Sequence, residues 1–254
     1  MIPSNSEKKI KVAIVITAAG SSTRMGGSVK KEYLPLGDGT VLSACIKSFL
    51  TVLDDPEIII TIPPGGIKEA EKAAAGYKVF FVEGSNTRQK SVFNALEFIK
   101  QKSFNPDYVL IHDGARPFIT PELITDVLNN TQKYEAAVPG ITPTDTIKGL
   151  DGNGFIVAHL VRKNLTAVQT PQGFEFNKLY EAHKKAAGDY HDYTDDSEIW
   201  GKYCGPVKLV IGDIKNHKIT YPEDIQKWIA SSQGSSQSTL KPKGGTNDSC
   251  WIRL

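Results

Sequence analysis

The stretch Ile10-Lys-Val-Ala-Ile-Val-Ile-Thr17-Ala-Ala-Gly20-Ser-Ser-Thr-Arg24-Met-Gly-Gly-Ser-Val-Lys-Lys31-Glu-Tyr-Leu34 decides how the rest of the chain is read. A β-branched apolar run stops at two alanines and a glycine, then passes into small hydroxyls, an arginine and paired lysines. Such a run predicts a buried parallel strand, and the segment after it a loop at the strand's carboxyl end. In open α/β sheets that edge is where ligands bind.

The loop chemistry suits a polyphosphate. Gly20, Gly26 and Gly27 let backbone N–H groups approach an anion, and Arg24, Lys30 and Lys31 supply positive charge. The alternative is a solvated connection with ordinary surface cations. Spacing excludes two familiar devices. The glycine after Gly20 is Gly26, so neither G-x-G-x-x-G nor G-x-x-x-x-G-K-[ST] fits, and no Ser or Thr follows Lys31.

A chain of 254 residues with 40% apolar content can bury one sizeable core, and a single domain is expected. A formal charge of +2 gives no nucleic-acid footprint, so an anion site must be local. Cys45, Cys204 and Cys250 are far apart, without metal spacing, and read as unpaired thiols of a reducing compartment. No apolar run reaches the roughly 18 residues of a membrane span, and residues 1–9 lack the apolar centre of a signal peptide. A cytoplasmic protein without nucleic-acid or membrane partners is expected.

Periodicity then predicts alternating elements. A helix over 41–50 uses Val41, Leu42, Cys45, Ile46 and Phe49, and strands follow at 58–62 and 77–82 around a helix over 67–75. A further helix presents Val92, Ala95, Leu96 and Ile99, with Ser85 or Asn86 as its cap. Arg88 and Ser91 in its first turn would face the same sheet edge as the first loop, either as an anion contact or as parts of a plain capped helix. The strand 108–113 ends in His112-Asp113-Gly-Ala-Arg116-Pro117. Asp113 therefore sits at the ligand edge or merely closes a turn with Arg116, and His112 reads as a packed histidine. A helix over 121–131 and a strand at 136–138 follow. Residues 141–168, with the turn Asp151-Gly-Asn-Gly154, read as a projecting β-hairpin arm that packs on a second subunit, a loose surface excursion being the alternative. Thr170 to Glu175 leads into a helix over 176–187. Asp195 and Asp196 open a helix over 196–203, favouring its positive end, with a magnesium role also open. A strand at 207–211, an extended segment at 216–220 and a last helix over 225–230 complete the domain, 10–231. Residues 232–254 are rich in Ser, Gln, Gly and Lys, the composition of a disordered tail or an added segment.

Taken in order, Ala18-Ala19-Gly20-x-x-x-Arg24-Met25, Lys31-x-Tyr33-Leu34, His112-Asp113-x-Ala115-Arg116-Pro117, Asp145-Thr146, Thr170-Pro171-Gln172 and Lys218-Ile-Thr-x-Pro-Glu-Asp224 resemble the 2-C-methyl-D-erythritol 4-phosphate cytidylyltransferases of non-mevalonate isoprenoid synthesis. The resemblance implies an α/β, Rossmann-like nucleotidyltransferase fold with a mostly parallel sheet. It implies transfer of a cytidylyl group from CTP to methylerythritol phosphate, with Mg2+ carried mainly on the CTP phosphates rather than by protein side chains. It also implies a homodimer built on the arm.

By the same resemblance Arg24, Lys31 and Lys218 are catalytic. Ala18, Ala19, Gly20, Ser21, Ser22, Gly84, Asn86, Arg88, Ser91 and Gly114 would hold the nucleotide. Asp113, Arg116, Thr146, Arg162, Thr170, Thr194 and Lys218 would surround the acceptor, with Thr146 and Arg162 reaching the partner's site. Lys31 is the lysine in register with Tyr33 and Leu34, so Lys30 is expected to be a surface charge. Ser21 and Ser22 stand where relatives commonly have glycine, a small change expected to be tolerated, and Ser85-Asn86 where Gly-Asp is frequent, which leaves Asn86 uncharged. A polyol phosphate cytidylyltransferase, acting for example on ribitol 5-phosphate, and a non-catalytic nucleotide-binding module are the rival readings.

Overall fold

Along strand β1 (Val12–Thr17) the side chains alternate between two cores: Ala13 and Val15 enter one, Ile14 and Ile16 the other, and all four are wholly buried. A strand covered on both faces carries an unbroken apolar run, which is why this one lacks polar alternation. The computed structural model describes residues 9–22, 29–221 and 223–224. By its internal packing the chain divides into a unit of residues Met1–Thr220 and a second of Tyr221–Leu254. In the second, the described part is a short turn in which the Tyr221 N–H donates to the Asp224 carboxylate at 2.9 Å. The helix expected at 225–230 and the tail lie outside the described residues.

In the first unit β1 pairs in parallel with β4 (Glu57–Ile62) and β6 (Tyr108–Asp113), and β4 pairs in parallel with β5 (Phe80–Glu83). Beyond β6 the sheet becomes mixed. Strand β11 (Gln172–Glu175) lies antiparallel between β6 and β7 (Ala136–Ile141). Strand β12 (Lys208–Ile211) runs parallel to β7 on its other edge, while β10 (Ala167–Val168) pairs antiparallel with β7 at Ile141 and Gly140. The expectation of a mostly parallel α/β sheet is met. The strand at 172–175 was not legible as one: Gln172-Gly173-Phe174-Glu175 has neither β-branched residues nor length, and tertiary pairing alone makes it a strand.

Helices cover both faces. On one, α1 (Val41–Leu50), α2 (Ile67–Ala73) and α4 (Pro121–Tyr134) pack Leu42, Phe49, Ala70 and Ile124 against Ile14, Ile16, Ile58 and Leu110. On the other, α3 (Arg88–Gln101), α5 (Phe176–Ala186) and α6 (Asp196–Tyr203) pack Val92, Leu96, Leu179 and Trp200 against Val15, Ile59, Val109 and Ile111. Each such aliphatic side chain contributes about 1.5–3 kcal/mol by leaving water. The 67–75 helix ends at Ala73 and the 77–82 strand starts at Phe80, whereas α4 runs on to Tyr134. Thr87, not Ser85 or Asn86, caps α3, its hydroxyl accepting from the Lys90 N–H at 3.2 Å. Among the described residues no helix is long and apolar enough to cross a membrane, and Cys45 and Cys204 are free thiols. Cys250 lies outside the described residues.

The hairpin is real but shorter than the expected arm. Strands β8 (Lys148–Leu150) and β9 (Ile156–His159) form a separate two-stranded sheet, while residues 141 and 167–168 belong to the main one. Asp151 closes the turn, its carboxylate accepting from the N–H groups of Asn153 and Phe155 at 2.9 Å each.

Candidate active site

The carboxyl ends of β1, β4 and β6 open onto a cleft of about 690 Å³. Two glycines let its walls approach each other. A Cβ on Gly84 would lie 2.3 Å from that of Ala19, and one on Gly114 would lie 3.1 Å from the Thr17 carbonyl oxygen. Neither glycine lines the cleft, and nor does Ala18, which is buried with its N–H donating to the Thr61 carbonyl at 3.0 Å. These three shape the site from beneath, while Ala19, Gly20, Ser21 and Ser22 form its surface.

The loop is clasped by the segment after it. Lys30 donates to the Gly20 carbonyl and lies 3.8 Å from Glu32, and the Ser22 hydroxyl donates to Glu32 at 3.3 Å. Burial pushes the Glu32 carboxyl up, against the pull of Lys30, and lowers the Lys30 ammonium despite Glu32. Lys30 is therefore a lining residue with a partly buried ammonium, contrary to the surface role expected from register alone. Ser22 has φ +53°, a left-handed conformation in which glycine is at ease, so the serine standing there is strained as well as small. Arg24 lies outside the described residues.

Lys31 is buried, and its ammonium donates to the Ile219 carbonyl at 2.8 Å. That bond joins residues 188 positions apart and brings Lys31 beside Lys218. Lys218 in turn lies 2.9 Å from Asp113, whose carboxylate also faces Arg116 at 3.4 Å and Arg88 at 3.7 Å. Burial would raise the Asp113 carboxyl, but the charges of Lys218, Arg88 and Arg116 outweigh it and hold the group well below the usual carboxylate range.

Beneath this cluster His112 is wholly buried against the edge of the Phe49 ring. Burial pushes its imidazole down to about 4, leaving it neutral. Its Nε2 meets the Arg116 carbonyl at 3.1 Å, which can only accept, so Nε2 carries the proton. Nδ1 therefore accepts from the Thr170 hydroxyl at 3.0 Å, and that hydroxyl accepts from the Asp113 N–H at 3.0 Å. His112 is a packed, orienting group, as its place inside the strand pattern implied. Asn216, also wholly buried, donates its side-chain amide to the Thr170 carbonyl at 2.9 Å, and its backbone carbonyl accepts from Arg116 at 2.8 Å. With the Ile219 N–H on the Ala115 carbonyl at 2.8 Å, this ties the 213–220 segment to the β6 loop and delivers Lys218.

The expected residues thus fall into groups. Lys31, Lys218, Asp113, Arg88, Asn86 and Ser91 line the cleft with the loop. Arg116 and Thr170 lie directly behind it through their bonds to Asp113. Ser91 is mostly spent on the backbone, its hydroxyl accepting from the Ser85 N–H at 2.9 Å and donating to the Thr87 carbonyl at 2.8 Å. Thr194, Thr146 and Arg162 do not line it: Thr194 is exposed and bonded to Glu198, and Arg162 at the foot of the arm donates to the Thr144 carbonyl at 2.9 Å. Thr146 is exposed between β7 and β8. Sequence reasoning named Lys30 and then set it aside as a surface charge, and it missed Glu32 and Asn216. Glu32 lies inside the Lys31-x-Tyr33 motif and Asn216 two positions before Lys218, so motif proximity was the available signal.

An α/β sheet whose carboxyl edge carries a small-residue loop and a set of lysines and arginines around one carboxylate defines a nucleotidyltransferase-type protein. A family model described as 2-C-methyl-D-erythritol 4-phosphate cytidylyltransferase matches residues 12–230, and the chain belongs to that family. It is 38% identical over 218 residues to the enzyme of that name from Clostridium beijerinckii, covering 84% of this chain and 95% of the relative. The Caldanaerobacter subterraneus enzyme is 39% identical over 219 residues, with the same two coverages of 84% and 95%. The crystal structure of the Thermus thermophilus cytidylyltransferase superposes with a TM-score of 0.72 at 32% identity, covering 88% of this chain and 100% of that one. The Anaerococcus prevotii 4-diphosphocytidyl-2C-methyl-D-erythritol synthase superposes at 0.76 with 29% identity, covering 88% and 96%.

Proposed function

We propose that this enzyme transfers a cytidylyl group from CTP to 2-C-methyl-D-erythritol 4-phosphate, giving 4-diphosphocytidyl-2-C-methyl-D-erythritol and pyrophosphate. Beyond family membership, one observation carries the reading: Lys31, on the first loop, is bonded to the carbonyl next to Lys218, which itself meets Asp113. Among the described residues that line the cleft or back it directly, Lys30, Lys31, Arg88, Arg116 and Lys218 stand against Glu32, Asp113 and Asp196, a formal +2.

The acceptor monoester has a second pKa of about 6 and is largely dianionic near neutrality, so its oxygen is already a nucleophile. It attacks the α-phosphorus in line; the new P–O bond forms as the bond to the β-phosphate oxygen breaks and pyrophosphate departs. Catalysis is then placement and charge neutralisation by Lys31, Lys218 and Arg24, with the loop N–H groups on the triphosphate. Among the described residues no group of three His, Cys, Asp or Glu side chains forms a metal cage, and Asp113 is already engaged by cations. Magnesium, expected to arrive on the triphosphate, would neutralise phosphate charge there.

The arm fits a dimer. Phe155, Val157 and Leu150 on it are 69%, 63% and 62% exposed, and a second subunit is their natural cover, with Thr146 and Arg162 then reaching toward the partner's cleft. Free Cys45 and Cys204 fit a cytoplasmic setting.

The test is pyrophosphate release from CTP with methylerythritol phosphate, with ribitol 5-phosphate, and with no acceptor. Release that requires methylerythritol phosphate is expected. Equal or faster release with ribitol 5-phosphate would reassign the acceptor, and CTP binding without release would make the protein a binding module.

A further inference from the structure

One buried ionic group lies behind the cleft wall. Asp196, the first residue of α6, is wholly buried; one of its oxygens is 2.7 Å from Arg88 Nη1 and the other 3.1 Å from His183 Nε2. His183, on α5, is also buried and stacks on Phe93 of α3, the ring planes 9° apart at 6.1 Å. Its Nδ1 has no hydrogen-bond partner among the described residues. Its Nε2 contacts the Asp196 oxygen that Arg88 leaves free.

Asp196 is held as a carboxylate beside the Arg88 guanidinium. Burial works against its ionisation, but the Arg88 charge and the His183 hydrogen bond outweigh it, and the amino end of α6 favours an anion. Arg88 begins α3 and lines the cleft on a long, freely rotating side chain, with Asp113 as its second partner at 3.7 Å. Two carboxylates on different elements restrict the guanidinium to one orientation, and the tighter of the two is Asp196, outside the cleft.

We propose that Asp196, itself held by His183, is a positioning residue that aims Arg88 at the triphosphate of the nucleotide. The proposal rests on the cytidylyltransferase reading of the cleft. The competing account is a salt bridge that only joins α3 to α6 and has no bearing on nucleotide handling.

A double-mutant cycle separates the two: wild type, Arg88→Ala, Asp196→Asn and the double variant, assayed for kcat/KM on CTP at saturating acceptor and for thermal stability. Asp196→Asn is expected to lower kcat/KM for CTP on the order of 10- to 100-fold with the acceptor KM little changed, and the double variant to be no worse than Arg88→Ala. His183→Gln, whose amide can still donate, should stay close to wild type, while His183→Ala should lose part of the activity. The proposal is overturned if Asp196→Asn keeps wild-type kcat/KM whatever its melting temperature, if its cost appears in full on top of Arg88→Ala, or if Arg88→Ala leaves CTP handling unchanged. Should Asp196→Asn fail to fold, His183→Ala takes its place in the cycle with the same two outcomes. Reading the cycle also as CTP affinity by calorimetry with magnesium, without acceptor, keeps it decisive even if the wild type uses another acceptor.

Discussion

At the carboxyl edge of the sheet charged side chains are buried and paired, whereas on the β8–β9 arm apolar side chains stand in solvent. Around Asp113 three cations, a neutral histidine and two backbone-anchored polar side chains are held by partners drawn from β6, α3, the 170–172 segment and residues 216–219. On the arm Leu150, Phe155, Ile156, Val157 and Val161 are each more than half exposed, and β8 and β9 pair only with each other. We propose that the first region receives an anion. The second, exposed in this chain, is proposed to pack on a second copy.

Removing the carboxylate at the centre of the cluster tests the first half of that contrast most severely. Asp113→Ala leaves Lys218, Arg116 and Arg88 crowded without their shared partner, and we expect a loss of about 3 kcal/mol or more in urea unfolding, together with loss of turnover. Unchanged stability would mean that solvent already screens the cluster. A comparable effect is expected from pH. His112 has its folded-state pKa pushed down to about 4, so the unfolded chain binds the extra proton first. Its contribution is fully present above about pH 6.5 and is lost, by up to about 3 kcal/mol, as pH falls toward 4. Asp113, depressed instead below an ordinary carboxylate value, loses its contribution only at still lower pH. Unfolding free energies at pH 7.5, 6 and 5 should fall more steeply for wild type than for His112→Gln; equal slopes would contradict the buried neutral assignment.

For the arm, Phe155→Asp should weaken self-association about 30-fold, near 2 kcal/mol, in analytical ultracentrifugation while leaving the unfolding curve of the subunit intact. A wild type that is monomeric at every concentration would remove the dimer. The smallest effect is expected at Ser22. Ser22→Gly relieves a left-handed residue but gives up the bond to Glu32 and loosens the unfolded chain, so the net change should stay under about 1 kcal/mol. A larger loss would show that the Ser22–Glu32 contact, rather than backbone conformation, holds the loop.

Much of the fold was legible because its signals are local. Val12 to Thr17, Val41 to Leu50 and Asp196 to Tyr203 each carry their own period or cap, and the structure places those elements at 12–17, 41–50 and 196–203. In the mixed half the strands at 136–138 and 207–211 were legible too, but Gln172 to Glu175 become a strand only through pairing with β6 and β7. The site divides the same way. Loop residues and Lys31 follow from the motif after the first strand, but the roles of Lys30 and Glu32 depend on how the chain folds back under Gly20 and Ser22. Asn216 and the Asp196–His183 pair act through partners 46, 108 and 13 positions away, and no spacing along the chain announces that.

We propose that two lysines from opposite ends of the domain, Lys31 and Lys218, neutralise the reacting phosphates, and single-turnover CMP transfer from labelled CTP to methylerythritol phosphate tests this most directly. Lys31→Ala and Lys218→Ala should each slow that step by about 100- to 1,000-fold, near 3–4 kcal/mol, with far-UV circular dichroism and CTP affinity much less affected. Near-normal transfer rates in both folded variants would contradict the account.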